Sequence, residues 1–187
     1  MPTIRAFIAI PLPENLATEF ASLQSHLIAS DAQVKWDTPD KFHITLKFLG
    51  DTESSQIDSI ASELQKSICT LPGFDISYAT VGAFPTISRP RVIWVGTEEN
   101  EHIPRLLGIV EGVCSSFGFA KEDRPFHAHI TLGRVKGTRN LDRLTAIAKS
   151  ITFKPLIARC SEVHVMRSEL KPTGSIYTLL NSIPLAP

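Results

Sequence analysis

One tetrapeptide occurs twice in this chain: His43-Ile44-Thr45-Leu46 returns letter for letter as His129-Ile130-Thr131-Leu132, 86 residues later. Each copy falls in a stretch that reads as a strand beside a helix, so the two halves look like duplicated units. Side chains of a strand alternate faces, which sets each His and its Thr on one side, ~6.7 Å apart, with Ile and Leu on the other. Apolar groups then enter the core, and two His-Thr pairs are left to converge.

A chain of 187 residues suits one domain, or two small lobes sharing a core. Hydrophobic residues at 43% and charged residues at 20% exclude global disorder and a fibrous repeat. Lysine plus arginine (19) cancels aspartate plus glutamate (19), which argues against gripping long nucleic acid by bulk charge but leaves a small or terminal nucleic-acid substrate open. The apolar opening Ile4 to Ile10 is shorter than the ~20 residues that span a bilayer. It also lacks the basic start and cleavage site of a secretory signal, so the cytoplasm is expected. Cys69, Cys114 and Cys160 form no CxxC pair and are expected to be buried thiols.

Along the chain, residues 4 to 10 read as a strand ended by Pro11 and Pro13. Leu16, Phe20, Leu23 and Leu27 then lie on one helix face. Strands are expected at Gln33 to Trp36 and Phe42 to Phe48, broken by Gly50-Asp51, followed by a helix through Ile57, Ile60, Leu64 and Ile68. Phe74 to Ala83 and Arg91 to Thr97 read as strands joined by a loop holding Pro85, Arg89 and Pro90. A third helix covers Ile103 to Val113, a strand His129 to Val135, and a fourth helix Leu141 to Ala148. A final hairpin pairs Cys160 to Arg167 with Ser175 to Asn181. Strand blocks interleaved with four helices read as α+β or mixed α/β.

Two imidazoles approaching from related units suit in-line displacement at phosphorus, where one takes a proton from the attacking oxygen and the other protonates the leaving oxygen. Histidine fits both tasks, with an unperturbed pKa of ~6.5. The Thr hydroxyls can donate to the non-bridging phosphate oxygens, where charge accumulates. Neither a metal nor a cofactor is required.

The settings Phe42-His43-Ile44-Thr45-Leu46-Lys47-Phe48-Leu49-Gly50 and Pro125-Phe126-His127-Ala128-His129-Ile130-Thr131-Leu132-Gly133-Arg134 resemble the 2H phosphoesterase superfamily with its paired HxT motifs. Within it they look like RNA 2′,3′-cyclic phosphodiesterases, also called 2′-5′ RNA ligases. Arg5-Ala6-Phe7, Val34-Lys35-Trp36, Arg91-Val92-Ile93-Trp94, Ser168-Glu169-Leu170, Gly174 and Tyr177 extend the likeness over essentially the whole chain. The resemblance implies an α+β, bilobal, LigT-like fold with pseudo-twofold symmetry: one domain over residues 1–187 made of two intertwined lobes, antiparallel sheets lining a cleft and helices outside. It implies hydrolysis of terminal 2′,3′-cyclic phosphates to 2′-phosphomonoesters, with His43 as proton donor and His129 as proton acceptor. Weak reverse 2′-5′ ligation belongs to the same implication. Arg134 matches a family position that binds phosphate or the nucleotide.

Further candidates follow from strand parity. Lys47 points with His43 and Thr45 if the strand stays regular, which makes it a candidate for substrate contact. His127 shares the face of His129; no third ligand at a convincing spacing accompanies the pair, so a role in orienting or hydrating the site competes with plain packing and no metal is expected. Trp36, Phe48 and Phe126 can stack a base, though core packing is favoured for each. Lys136, Arg139 and Arg143 can guide an RNA end together with Arg134, or form a solvated face. His26, His102 and His164 lack motif context. The expected partners are RNA ends or nucleotides bearing a 2′,3′-cyclic phosphate, with no membrane and no obligate protein partner, and the chain is expected to be a monomer. Two alternatives stand beside this: a 2H activity on a small nucleotide, such as an ADP-ribose-derived cyclic phosphate or a 2′-5′ oligonucleotide, and a non-catalytic module that binds RNA ends.

Overall fold

The computed structural model describes residues 3–172 and 174–187. In chain order the elements are β1 (Thr3–Pro11), α1 (Glu14–Ile28), β2 (Val34–Trp36), a 3-10 turn (Pro39–Lys41), β3 (His43–Glu53), α2 (Ser54–Ile68), β4 (Phe74–Thr86), β5 (Arg89–Thr97), α3 (His102–Ser116), β6 (His129–Val135), α4 (Leu141–Ser150), β7 (Leu156–Cys160), β8 (Glu162–Lys171) and β9 (Gly174–Pro184). Every ladder is antiparallel, and the strands run β7-β4-β5-β6-β3-β1-β8-β9, with β2 added to β6. This is the α+β arrangement that the family resemblance implies, and it decides against the mixed α/β alternative.

The element order repeats. The series β1-α1-β3-α2-β4 is followed by β5-α3-β6-α4-β8, and the two series meet where β3 lies beside β6. Strand β4 ends up next to β5 of the second series, whereas β8 ends up next to β1 of the first. The halves therefore exchange a strand each.

Core side chains come from alternate strand positions: Ala6, Ile8 and Ile10 on β1, Ile44 and Leu46 on β3, Ile130 and Leu132 on β6. They pack with Phe20, Leu27, Ile60, Leu64, Leu106, Val110 and Leu144 of the helices, each side chain contributing about 1.5–3 kcal/mol through burial. Helices α2 and α3 touch one another, as do α1 and α4. None of the four is long and apolar enough to cross a membrane.

Several expectations are corrected. Gly50-Asp51 does not end β3, because the strand passes through bulges and continues to Glu53, with Gly50 at φ +66° taking a turn that an L side chain disfavours. Pro85, Arg89 and Pro90 are not loop residues: Pro85 lies opposite Pro90, and Thr86 opposite Arg89, so the β4–β5 connection is shorter. Cys160 closes a separate strand, β7, paired with β4, rather than opening the final hairpin. In the sequence β7 merges with β8, because only Ser161 separates them. Cys114 and Cys160 are buried, but Cys69 is exposed at the end of α2, where its thiol donates to the Lys66 carbonyl.

Candidate active site

Strands β3 and β6 pair through Ile44 opposite Ile130, the second residue of each tetrapeptide. That register centres a local twofold on the two isoleucines and sets each His near the other strand's Thr. The two His Cα atoms then lie ~8 Å apart along the diagonal of the ladder. Both rings leave the sheet on the face opposite the helices.

The rings are held alike. His43 Nδ1–H donates to the Lys41 carbonyl at 2.7 Å, and His129 Nδ1–H donates to the His127 carbonyl at 2.7 Å. A carbonyl oxygen only accepts, so in the neutral ring the proton sits on Nδ1 and Nε2 carries the lone pair. Thr45 Oγ1 lies 3.1 Å from His43 Nε2.

Aromatic neighbours wall both rings. Phe7 stacks on His43 with centroids 4.9 Å apart, and Tyr177 meets it edge-on at 5.5 Å. Phe84 meets His129 edge-on at 4.9 Å, with Trp94 at 6.2 Å. Sequence reading missed these four as ring supports. The available signal was parity: Phe7 falls out of phase with the core residues Ala6, Ile8 and Ile10.

Burial pushes both imidazoles below the ordinary 6.5, His43 to about 4, and the positive charge of Arg134 acts in the same direction on each. A depressed value for a base means that the folded chain holds its proton less tightly than the unfolded chain. The associated stability is present above about pH 6.5 and is lost as pH falls through about 4. Thermal melts are expected to show that loss, and a smaller one in His43→Asn; identical acid dependence in both proteins would contradict the burial of His43.

The same irregularity recurs after each motif. The β1–β3 ladder skips Leu46, and the β5–β6 ladder skips Leu132. Each skip advances the strand by one residue, so Arg134 emerges on the face of His129, and Phe48, in the corresponding place of the first unit, emerges on the face of His43. Arg134 is exposed, and Thr131, like His129, is part-buried.

That skip also removes Lys47 from the candidate list. Its side chain turns inward, 2% exposed, where Nζ pairs with Glu111 at 2.9 Å and donates to the Ala120 carbonyl at 2.6 Å. Phe48, 59% exposed, and Phe126, 36% exposed, are likewise not core residues. Trp36 is half-buried against the core. His127 is exposed, its ring 6.1 Å from that of His129; its carbonyl is what holds the catalytic candidate. Of the remaining cations, Arg139 pairs with Asp31 at 3.1 Å, while Lys136 and Arg143 are exposed. His164 pairs with Glu162, His102 stacks on Phe74, and His26 is exposed. Among the described residues no group of three or more His, Cys, Asp or Glu side chains is arranged to hold a metal ion.

The LigT-like phosphoesterase family model matches twice, over residues 10–94 and 95–177. The chain belongs to this family. Each match of the LigT-like phosphoesterase model contains one HxT motif. Among similar proteins, the RNA 2′,3′-cyclic phosphodiesterase of Methanothermobacter thermautotrophicus is 36% identical over 176 residues, covering 94% of this chain and 95% of that protein. The protein of the same name from Thermotoga maritima is 30% identical, covering 95% and 93%. Among solved structures, TT0787 of Thermus thermophilus superposes with a TM-score of 0.81 at 25% identity, covering 97% of this chain and 98% of that one. E. coli LigT complexed with 3′-AMP gives 0.78 at 22% identity, covering 98% of each, and shares the fold.

Proposed function

We propose that this protein is a phosphoric diester hydrolase that opens the terminal 2′,3′-cyclic phosphate of RNA, or of a nucleotide, to a 2′-phosphomonoester without a metal. The observation that carries this reading is the matched pair of rings on neighbouring strands, each tied through Nδ1 to the carbonyl two residues earlier. The relatives named for the same activity support it.

In this mechanism His129 Nε2 takes a proton from water as the water oxygen bonds to phosphorus. The bond from phosphorus to the 3′ oxygen breaks, and His43 delivers a proton from Nε2 to that oxygen. Thr45, Thr131 and Arg134 bind the non-bridging oxygens. Burial alone would leave His43 unprotonated at neutral pH; the phosphodiester anion supplies the negative charge that restores its proton. The cavity of about 460 Å³ that adjoins His43 is lined also by Glu14, Ala17 and Thr18 of α1 and by none of His129, Thr131 or Arg134, so the cyclic phosphate is assigned to the sheet face that carries both rings and not to that cavity. Phe48 offers an exposed ring on the same face for a base to stack on. His127 orients His129 through its backbone.

The reading treats residues 1–187 as one domain, since neither half completes its sheet without the strand it receives from the other. It also takes the protein as a monomer, because the two-histidine chemistry needs no second chain, and keeps the cytoplasm as its expected compartment. Run in reverse, the same groups join a cyclic end to a 5′-hydroxyl as a 2′-5′ bond, with hydrolysis dominant because water is abundant.

The test is turnover of a short RNA with a 2′,3′-cyclic end, beside ADP-ribose cyclic phosphate and a 2′-5′ oligonucleotide. Phosphorus NMR is expected to show a 2′-phosphate product from the cyclic-ended RNA at the same rate with and without EDTA. A 3′-phosphate product, or loss in EDTA restored by a divalent cation, would overturn the mechanism. Tight binding without turnover would mark an RNA-end binding module.

A further inference from the structure

Three cations gather at one end of the groove. Strand β2 adds to β6 so that Lys35 lies directly opposite Arg134. Like charges facing one another across a ladder repel, and no sheet needs such a pair for its own stability. Lys41 arrives from the 3-10 turn, two residues before His43, with its carbonyl on the His43 ring.

The lysines converge on a place without a side chain. A Cβ on Gly174, at the start of β9, would meet Lys35 Nζ at 3.3 Å and Lys41 Nζ at 3.9 Å. Two ammonium groups so near one point can donate to oxygens of a single phosphate. Among the described residues, neither these lysines nor Arg134 has a carboxylate within ion-pair distance. Asp37 and Asp40 are the nearby acids. The Asp37 carboxyl is pushed above the usual carboxylate range, because burial outweighs the pull of Arg134, Lys41 and Lys35. The cations thus act on Asp37 from beyond contact.

We propose that Lys35 and Lys41, with Arg134 shared between them and the imidazoles, form a second anion site that receives the phosphate on the 5′ oxygen of the terminal nucleoside. The proposal rests on the cyclic-phosphate reading above and deepens it: the substrate class becomes a nucleotide or RNA end with a 5′-linked phosphate, rather than a bare nucleoside cyclic phosphate. The site takes that phosphate either as a free monoester or as the diester leading to the next nucleotide, since both present two anionic or partly anionic oxygens. Lys35 lies opposite Arg134, which emerges on the face of His129, and this joins the second site to the one that holds the cyclic phosphate.

The experiment compares kcat/KM on three substrates in one enzyme preparation: adenosine 2′,3′-cyclic phosphate with a 5′-hydroxyl, the same with a 5′-phosphate, and a cyclic-ended dinucleotide. Wild type is expected to prefer the second and third over the first by about tenfold or more, and Lys35→Gln and Lys35→Gln/Lys41→Gln to erase most of that preference. The ratio is independent of how much protein folds. An unchanged ratio in the double variant would overturn the site. A gain with the dinucleotide alone would also overturn it, assigning the gain to the second nucleoside. Calorimetry separates this outcome from failure of the cyclic-phosphate reading. Adenosine 2′,5′-bisphosphate is expected to bind about tenfold tighter than adenosine 2′-phosphate to wild type and equally to the double variant, whether or not any substrate turns over. Equal binding of the two by wild type would refute the proposal.

Discussion

Replacing His43 or His129 by alanine is expected to lower kcat/KM on cyclic-ended RNA by ~10²–10⁴-fold while the protein still folds. Each ring leaves the sheet on the face opposite the helices, so its removal opens no cavity in the core. The imidazoles are also held in their neutral form against the ordinary value, which means that alanine removes a group whose protonation strains the fold in acid. The double variant is expected to be about as slow as either single one, because groups that act as a unit are not additive. Circular dichroism checks folding and hydrolysis rates check function; wild-type turnover in both single variants would refute the assignment.

The largest expected effect on stability comes from Lys47. Its ammonium is sealed from water and shared by Glu111 on α3, the Ala120 carbonyl and Glu122, so it ties β3 to the segment that leads to His129. Lys47→Met leaves Glu111, only 14% exposed, without a counter-ion, which costs about 3–5 kcal/mol. Adding Glu111→Leu to remove the stranded charge is expected to recover much of that loss. At a temperature where Lys47→Met remains folded, its kcat/KM is expected to stay within a few-fold of wild type. Denaturant unfolding measures the first effect. A stable Lys47→Met protein with low turnover would restore the substrate contact that strand parity suggested.

Lys47 also shows where sequence reasoning stopped. The duplicated tetrapeptide revealed the pairing of histidines and apolar spacing revealed the four helices, because alternation and helical spacing are local properties; the choice of α+β over mixed α/β came from the family resemblance. It did not reveal that each strand slips by one residue immediately after its motif. A bulge changes which face every later side chain occupies, and nothing in Leu46-Lys47-Phe48 marks it. The slip exchanged Lys47 for Phe48, and in the other unit it set Arg134 on the working face. Gly50 and the prolines of the β4–β5 hairpin misled for a related reason, since they read as breaks but sit where ladders tolerate irregular backbone. Lys35 and Lys41 were invisible as a cluster because they meet only when β2 joins β6 and the final hairpin folds back over them.

The central claim is that one phosphate is touched by both imidazoles. Its most direct test is NMR titration of the His43 and His129 ring signals against pH, with and without a nucleoside 2′-phosphate. In the free protein both rings are expected to titrate below 6.5, His43 near 4. With ligand, both are expected to titrate higher and to saturate together at one equivalent. A ligand that moves one ring and leaves the other at its free value would contradict the shared phosphate.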